Sequence, residues 1–133
     1  MNYENCMRSA AHRHYEAAEG LMRTHRKDVA GYLYGIAAEC AIKEAMLRSG
    51  MRTLPKDERQ DDPFYAHFES LKTLLRDSAQ GRLKGPLRKV AENSAFMQYW
   101  DTSMRYSDGK AIPIAWINKW RDQAQFALAL MDD

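Results

Sequence analysis

The chain of 133 residues carries 20 Lys+Arg against 18 Asp+Glu, a formal net charge of +2, and 45% of its residues are hydrophobic. This composition suits one domain, 1–133, with enough apolar surface for a core. It excludes a disordered tail, a collagen-like or disulfide-scaffold chain and a strongly basic nucleic-acid coat. No run approaches the ~18 consecutive apolar residues of a spanning helix, so no membrane association is expected. The opening Met1-Asn2-Tyr3-Glu4-Asn5-Cys6 lacks the basic-then-apolar pattern of a secretory signal. Cys6 and Cys40 are too few for a disulfide framework, and the expectation is a cytoplasmic protein with both thiols reduced.

The strand signal is weak. Valine occurs only at Val29 and Val90, and no segment alternates apolar and polar residues over a strand's length. Alanine is abundant and apolar residues recur at helical spacing, which predicts an all-α fold. The first helix is expected from Tyr3 to Arg26. Met7, Ala11, His14, Ala18, Leu21 and His25 make a stripe along it, opposite the polar Arg8, Arg13, Glu16, Glu19 and Arg23. The second helix is expected from Asp28, as N-cap, to Gly50, as terminator. It is apolar nearly all round, which places it mid-bundle or in a subunit interface. Gly31 and Gly35 would let another helix approach closely, either within a monomer or across a dimer seam.

Between Met51 and Pro63 the helical period stops, and Lys56 to Asp62 holds four acids and two bases, the pattern of an exposed connector. A third helix is expected from Phe64 or Tyr65 to Ser78, with Phe68, Leu71, Leu74 and Leu75 inward. Gly81 breaks it, and a short helix follows from Pro86 to Ser94. Phe96, Met97, Tyr99 and Trp100 form an aromatic turn, and 103–112 reads as a loop turning at Asp108-Gly109. The last helix opens at Pro113 and buries Ile117, Trp120, Ala124, Ala127 and Met131. The expected fold is an up-and-down bundle of four main helices plus one short helix.

Local motifs for chemistry are few. His12 and His14 point to different sides of a helix, and His14 and His25 lie about 16 Å apart along it, so no metal site is expected. The chain has neither a P-loop nor a GxSxG elbow, Gly81 to Pro86 lacks the strand of a phosphate cradle, and no cofactor is expected. Cys40 sits in the apolar second helix as a packed, inert thiol. The charge distribution is more informative. Residues 81–110 hold six cations (Arg82, Lys84, Arg88, Lys89, Arg105, Lys110) against three acids, interleaved with Phe96, Tyr99, Trp100 and Tyr106. Such a surface suits single-stranded RNA or a nucleotide; the alternative is solvated cations over core rings. Glu39 and Lys43 form an i,i+4 pair on the most apolar helix. Either that edge is exposed, or Glu39 reaches a polar pocket and orients Arg105 or a ligand. In the segment from Trp100 to Gly109, the Arg105-Tyr106 pair is flanked by Asp101 and Asp108.

Taken in order, four stretches resemble the HEPN (higher eukaryotes and prokaryotes nucleotide-binding) helical superfamily. They are Ala10 to Glu19 in the first helix, Ala38-Glu39-Cys40-Ala41-Ile42-Lys43 in the second, His67 to Leu75 in the third, and Met104-Arg105-Tyr106 before the last. Catalytic members are metal-independent ribonucleases that carry Arg, four to six residues, then His, and share a cleft between two subunits. Members without that motif serve as partners of nucleotidyltransferases, often in toxin–antitoxin or defence pairs. Here Lys110, Ala111 and Ile112 occupy the positions for the histidine, no histidine follows His67, and Tyr106 replaces the usual polar residue. No catalytic residue is therefore assigned. The resemblance implies a non-catalytic domain that binds a partner protein of nucleotidyltransferase type, a nucleotide or RNA, as a homodimer. Arg105 would contact the anion or partner, with Glu39 and Lys43 nearby, Tyr106 and Asp108 shaping the pocket, and His67 bracing the third helix. One alternative is a divergent ribonuclease in which Arg105 stabilises phosphorane charge and His67 or His14 moves the proton. Another is a structural oligomer joined through the Gly31/Gly35 face and the Trp116/Trp120 helix.

Overall fold

The computed structural model describes residues 3–50 and 84–133. Among these lie four α-helices, α1 (Met7–Leu21), α2 (Lys27–Arg48), α3 (Lys84–Glu92) and α4 (Ile114–Asp132), and one 3-10 helix (Thr102–Tyr106). No strand occurs among the described residues, and the fold is an all-α helical bundle. No helix among them is long and apolar enough to cross a membrane. The charged connector and the helix expected over 64–78 lie outside the described residues.

Side-chain pairings fix the helix directions. Arg8 and His12 both meet Asp132 at 3.1 Å, and Arg121 meets Glu19, so α1 and α4 are antiparallel. Tyr34 reaches back to Glu19 and Tyr15, which makes α1 and α2 antiparallel as well. Then α2 and α4 run parallel, with Gly31 beside Trp120 and Arg48 donating to the carbonyls of Met131 and Asp133. These are the directions an up-and-down order assigns to its first, second and fourth main helices.

Local chemistry sets the helix ends. The first helix begins at Met7, not Tyr3, and stops at Leu21, five residues before the expected Arg26. Thr24 stops it: its hydroxyl donates to the Leu21 carbonyl at 2.7 Å and accepts from the Arg26 N–H at 3.0 Å. These are the local side-chain bonds that compete with a helical ladder. Asp28 is not the N-cap of α2 but lies in its first turn, after Arg26 as N-cap. A carboxylate there still complements the helix dipole, and its Oδ2 accepts from Arg26 at 3.2 Å. Gly50 ends the helix in the left-handed region (φ 99°) that favours glycine. The short helix starts two residues earlier than expected and keeps Pro86 in its first turn. Pro113 is the N-cap residue of α4, whose Ile117, Trp120, Ala124, Ala127 and Met131 are all buried.

The glycines of α2 receive rings rather than a helix backbone. A Cβ on Gly35 would lie 1.9 Å from the Trp100 indole, and one on Gly31 would lie 3.0 Å from the Trp120 ring. Both indoles are nearly fully buried, and each donates its Nε1–H, Trp100 to the Tyr32 carbonyl at 3.1 Å and Trp120 to the Gln98 carbonyl at 2.9 Å. The Gly31/Gly35 face is thus filled from within the chain.

One carboxylate ties three helices together. Glu19 of α1 accepts two bonds from the Arg121 guanidinium of α4, each at 2.8 Å, and one from the Tyr34 hydroxyl of α2 at 2.6 Å. Burial pushes the Glu19 carboxyl up, but Arg121 and Tyr34 together hold it below the ordinary glutamate value. A depressed folded-state pKa contributes stability that is complete above the unfolded value and lost as pH falls through the folded one.

Two outcomes follow from this packing. Gly35→Ala is expected to lower stability in urea by about 3 kcal/mol, the upper end of overpacking, and Gly31→Ala by about 1 kcal/mol, because its neighbour needs to shift only slightly. Glu19→Gln is expected to lower the melting temperature at pH 7 and to flatten the loss of stability below pH ~4, read from thermal melts across that range.

Candidate functional site

A cleft of about 470 Å³ opens between the start of α2 and the segment that follows the 3-10 helix. Its apolar wall is Val29, Met104 and Ile112, and Arg26, Tyr32, Arg105 and Asp108 supply polar groups. A second groove of about 310 Å³ adjoins it, sharing Arg26, Asp28, Asp108 and Gly109 and adding His25, Lys27 and Lys110. The two together present Arg26, Lys27, Arg105 and Lys110 against the carboxylates of Asp28 and Asp108. The nearly neutral chain therefore concentrates positive charge at one place.

The loop side of the cleft is built by short-range hydrogen bonds. Asp101 caps the 3-10 helix by accepting from the Ser103 N–H at 2.8 Å. The Ser107 hydroxyl donates to the Met104 carbonyl at 2.9 Å and accepts from the Gly109 N–H at 3.2 Å. Asp108 closes its own turn by accepting from the Lys110 N–H at 3.0 Å. Gly109 is required twice over. Its φ is +77°, and a Cβ would stand 2.0 Å from the Asp28 carboxylate. The loop and the first turn of α2 therefore touch through a glycine and an acid, which sets the width of the cleft.

The candidate residues named from sequence divide into separate groups. Arg105 and Asp108 line the cleft, and the Arg105 guanidinium donates to the Tyr32 hydroxyl at 3.5 Å. Tyr106 does not line it; the ring is 81% exposed and lies under Arg105, whose guanidinium carbon is 5.1 Å from the ring centroid. That contact preorients the cation without removing its charge. Glu39 and Lys43 lie elsewhere, about 10 and 16 Å further along α2 than Tyr32. They form a buried ion pair at 3.4 Å with each side chain 7% exposed, so neither is at a solvated edge. His67 lies outside the described residues.

No motif in the sequence marks Arg26, Asp28 and Tyr32 as cleft residues, and His25 falls in the stripe of the first helix. The available signal was the run His25-Arg26-Lys27-Asp28 at a helix junction. Among the described residues no histidine lines the Arg105 cleft, and His25 lines the adjoining groove. His14 is on α1, where burial, and next Arg13, hold its imidazole below the ordinary histidine value. The interleaved rings divide too. Phe96 and Trp100 are core, whereas Tyr99 is exposed and stacked on Trp116 with centroids 4.4 Å apart.

The aromatic turn carries backbone strain. Met97 (φ 54°) and Tyr99 (φ 69°) are non-glycine residues in the left-handed region, at about 1–2 kcal/mol each. Gln123 of α4 holds the turn from both sides, accepting from the Met97 N–H at 2.7 Å and donating to the Ala95 carbonyl at 3.0 Å.

The two thiols differ in reactivity. Burial pushes Cys40 up to about 11, while a side-chain hydrogen bond with Ser9 holds the exposed Cys6 below the ordinary thiol value. The thiolate is the reactive form. Iodoacetamide at pH 7.5 is therefore expected to modify Cys6 at least ~10-fold faster than Cys40, as read by peptide mass spectrometry. Comparison of the chain with protein-family models, curated proteins and solved structures finds no match, so the functional reading of the cleft rests on its geometry.

Proposed function

We propose that the protein is a non-catalytic, HEPN-like helical domain whose cleft binds the phosphate groups of a nucleotide or of RNA. The observation that carries this reading is Arg105 on the lining of the cleft, oriented by Tyr32 and Tyr106, with Arg26 on the same lining. Guanidinium groups match phosphate oxygens in geometry and keep their charge at any physiological pH. The apolar wall of Val29, Met104 and Ile112 offers a surface for a base or ribose. A homodimer and a nucleotidyltransferase-type protein, as in toxin–antitoxin or defence pairs, are the protein partners that accompany this reading.

One observation favours the alternative of a divergent ribonuclease. His25 lines the groove that shares Arg26, Asp28 and Asp108 with the cleft, and an imidazole is the usual proton carrier near neutral pH.

Both readings meet the same test. Fluorescent single-stranded RNA and a fluorescent nucleotide are titrated at low salt in EDTA with wild type and Arg105→Ala. Loss of a charge-assisted hydrogen bond of about 1.5–3 kcal/mol predicts at least ~10-fold weaker binding by the variant. Equal affinities would remove Arg105 from the site. RNA cut by the wild type and left intact by the variant would establish the ribonuclease instead.

A further inference from the structure

The turn over residues 95–99 holds an aromatic ring outward at a backbone position where a side chain is unfavourable. Tyr99 has a left-handed φ of 69° yet is not a glycine, and its ring is 62% exposed. One face of that ring is against Trp116 at 4.4 Å with 23° between planes, and Trp116 leans on the buried Trp120 at 6.3 Å. Stacking thus runs from core to surface and ends in a ring that is open to solvent. The turn is also fixed in place. Gln123 clamps it at Ala95 and Met97, and the Trp120 indole donates to the carbonyl of Gln98, next to Tyr99. A tyrosine needed only for packing would turn inward, as Phe96 and Trp100 do from the same segment.

Charge around the ring indicates what it stacks with. Lys119 lines the hollow beside Tyr99 and Trp116, together with the amides of Gln98 and Gln123. Gln123 also lines the next groove, where Lys89 of α3, Asp122 and the half-exposed Phe126 stand. A planar ring stacked on Trp116, with Lys119 one helical turn after Trp116 and lining the same hollow, suits a base and its phosphate, and stacking tolerates any base because each has a π-face. An apolar protein ligand would leave Lys119 and Lys89 without a partner.

We propose that Tyr99, seated on Trp116, is a stacking subsite for a base of single-stranded RNA, with Lys119 beside it for the adjoining phosphate. This rests on the RNA arm of the reading above and adds a second point of contact outside the Arg105 cleft. It makes the preferred ligand an oligonucleotide rather than a mononucleotide.

The test compares a single-stranded RNA with an abasic ribose-phosphate chain of equal length, by fluorescence anisotropy at low salt. The variants are Tyr99→Ala, Tyr99→Gly, Tyr99→Trp and Arg105→Ala. Tyr99→Ala and Tyr99→Gly are expected to weaken RNA binding about 10-fold or more while leaving the abasic chain unchanged, and Tyr99→Trp to retain it. Tyr99→Gly guards against misfolding, because glycine adopts the left-handed backbone freely and should melt above Tyr99→Ala. The subsite is overturned if both glycine and alanine variants bind RNA as the wild type does, or if the abasic chain loses as much affinity as RNA. Unchanged RNA binding in the Tyr99 variants with loss in Arg105→Ala would overturn the subsite and leave the cleft. The opposite pattern would overturn the cleft and support the subsite. No binding of RNA by the wild type would remove both, and a protein contact would then be the remaining role for the exposed ring.

Discussion

Two indoles seated on two glycines of α2 determine where everything on the cleft side of the molecule lies. Trp100 occupies the space a side chain at Gly35 would need, and Trp120 does the same at Gly31. Burial alone would allow each ring to slide along the helix. Their Nε1–H bonds do not, because a buried indole donor must find an acceptor and each has one fixed carbonyl, Tyr32 or Gln98. Trp100 also stacks nearly parallel on the Tyr32 ring, 5.6 Å away. The chain leaving Trp100 therefore enters the 3-10 helix beside Tyr32, and Arg105 comes within reach of that hydroxyl. Gly109 then packs on Asp28, and the cleft is what remains between these two contacts.

Much of the helical framework was legible in the sequence. The apolar circumference of α2, the stripe on α4 and the special status of Gly31 and Gly35 all follow from spacing. The occupant of the glycine notch did not follow. A small-residue pair signals a close approach, but a ring from a distant turn satisfies it as well as a helix does. Helix ends were the weaker part, because Thr24 acts through bonds to its own neighbours that the apolar period does not contain. The cleft was half legible. Arg105 and Asp108 stood out from the composition of their own segment, whereas Arg26, Asp28 and Tyr32 join them only through folding, across a sequence separation of 73 residues for the Tyr32–Arg105 contact.

The two charged clusters show the same limit. Glu39 and Lys43 are conspicuous because an i,i+4 pair on an apolar helix is visible in one turn of sequence, and they do form a buried ion pair. Such a pair is weak evidence for stability, since desolvation offsets most of the attraction. Glu19 and Arg121 stand 102 residues apart and read as ordinary surface residues of their helices. Folded, they make a bidentate contact to which the Tyr34 hydroxyl adds a third bond, and this partly exposed pair joins three helices. Sequence distance hid the more consequential cluster and exposed the less consequential one.

Tyr99 and Trp100 place the exposed ring and the cleft under common control. They are consecutive residues, yet one ring points to solvent and the other into the notch at Gly35. Adjacent residues project so differently only because the turn before them is left-handed at Met97 and again at Tyr99. The strain at those two positions is sustained by the bonds from Gln123 and Trp120, both on α4. The exposed ring and the position of Arg105 thus depend on the same short segment, held between α2 on one side and α4 on the other. A change in how α4 packs on α2 would reach the aromatic surface and the Arg105 cleft together, although neither lies on a helix–helix contact.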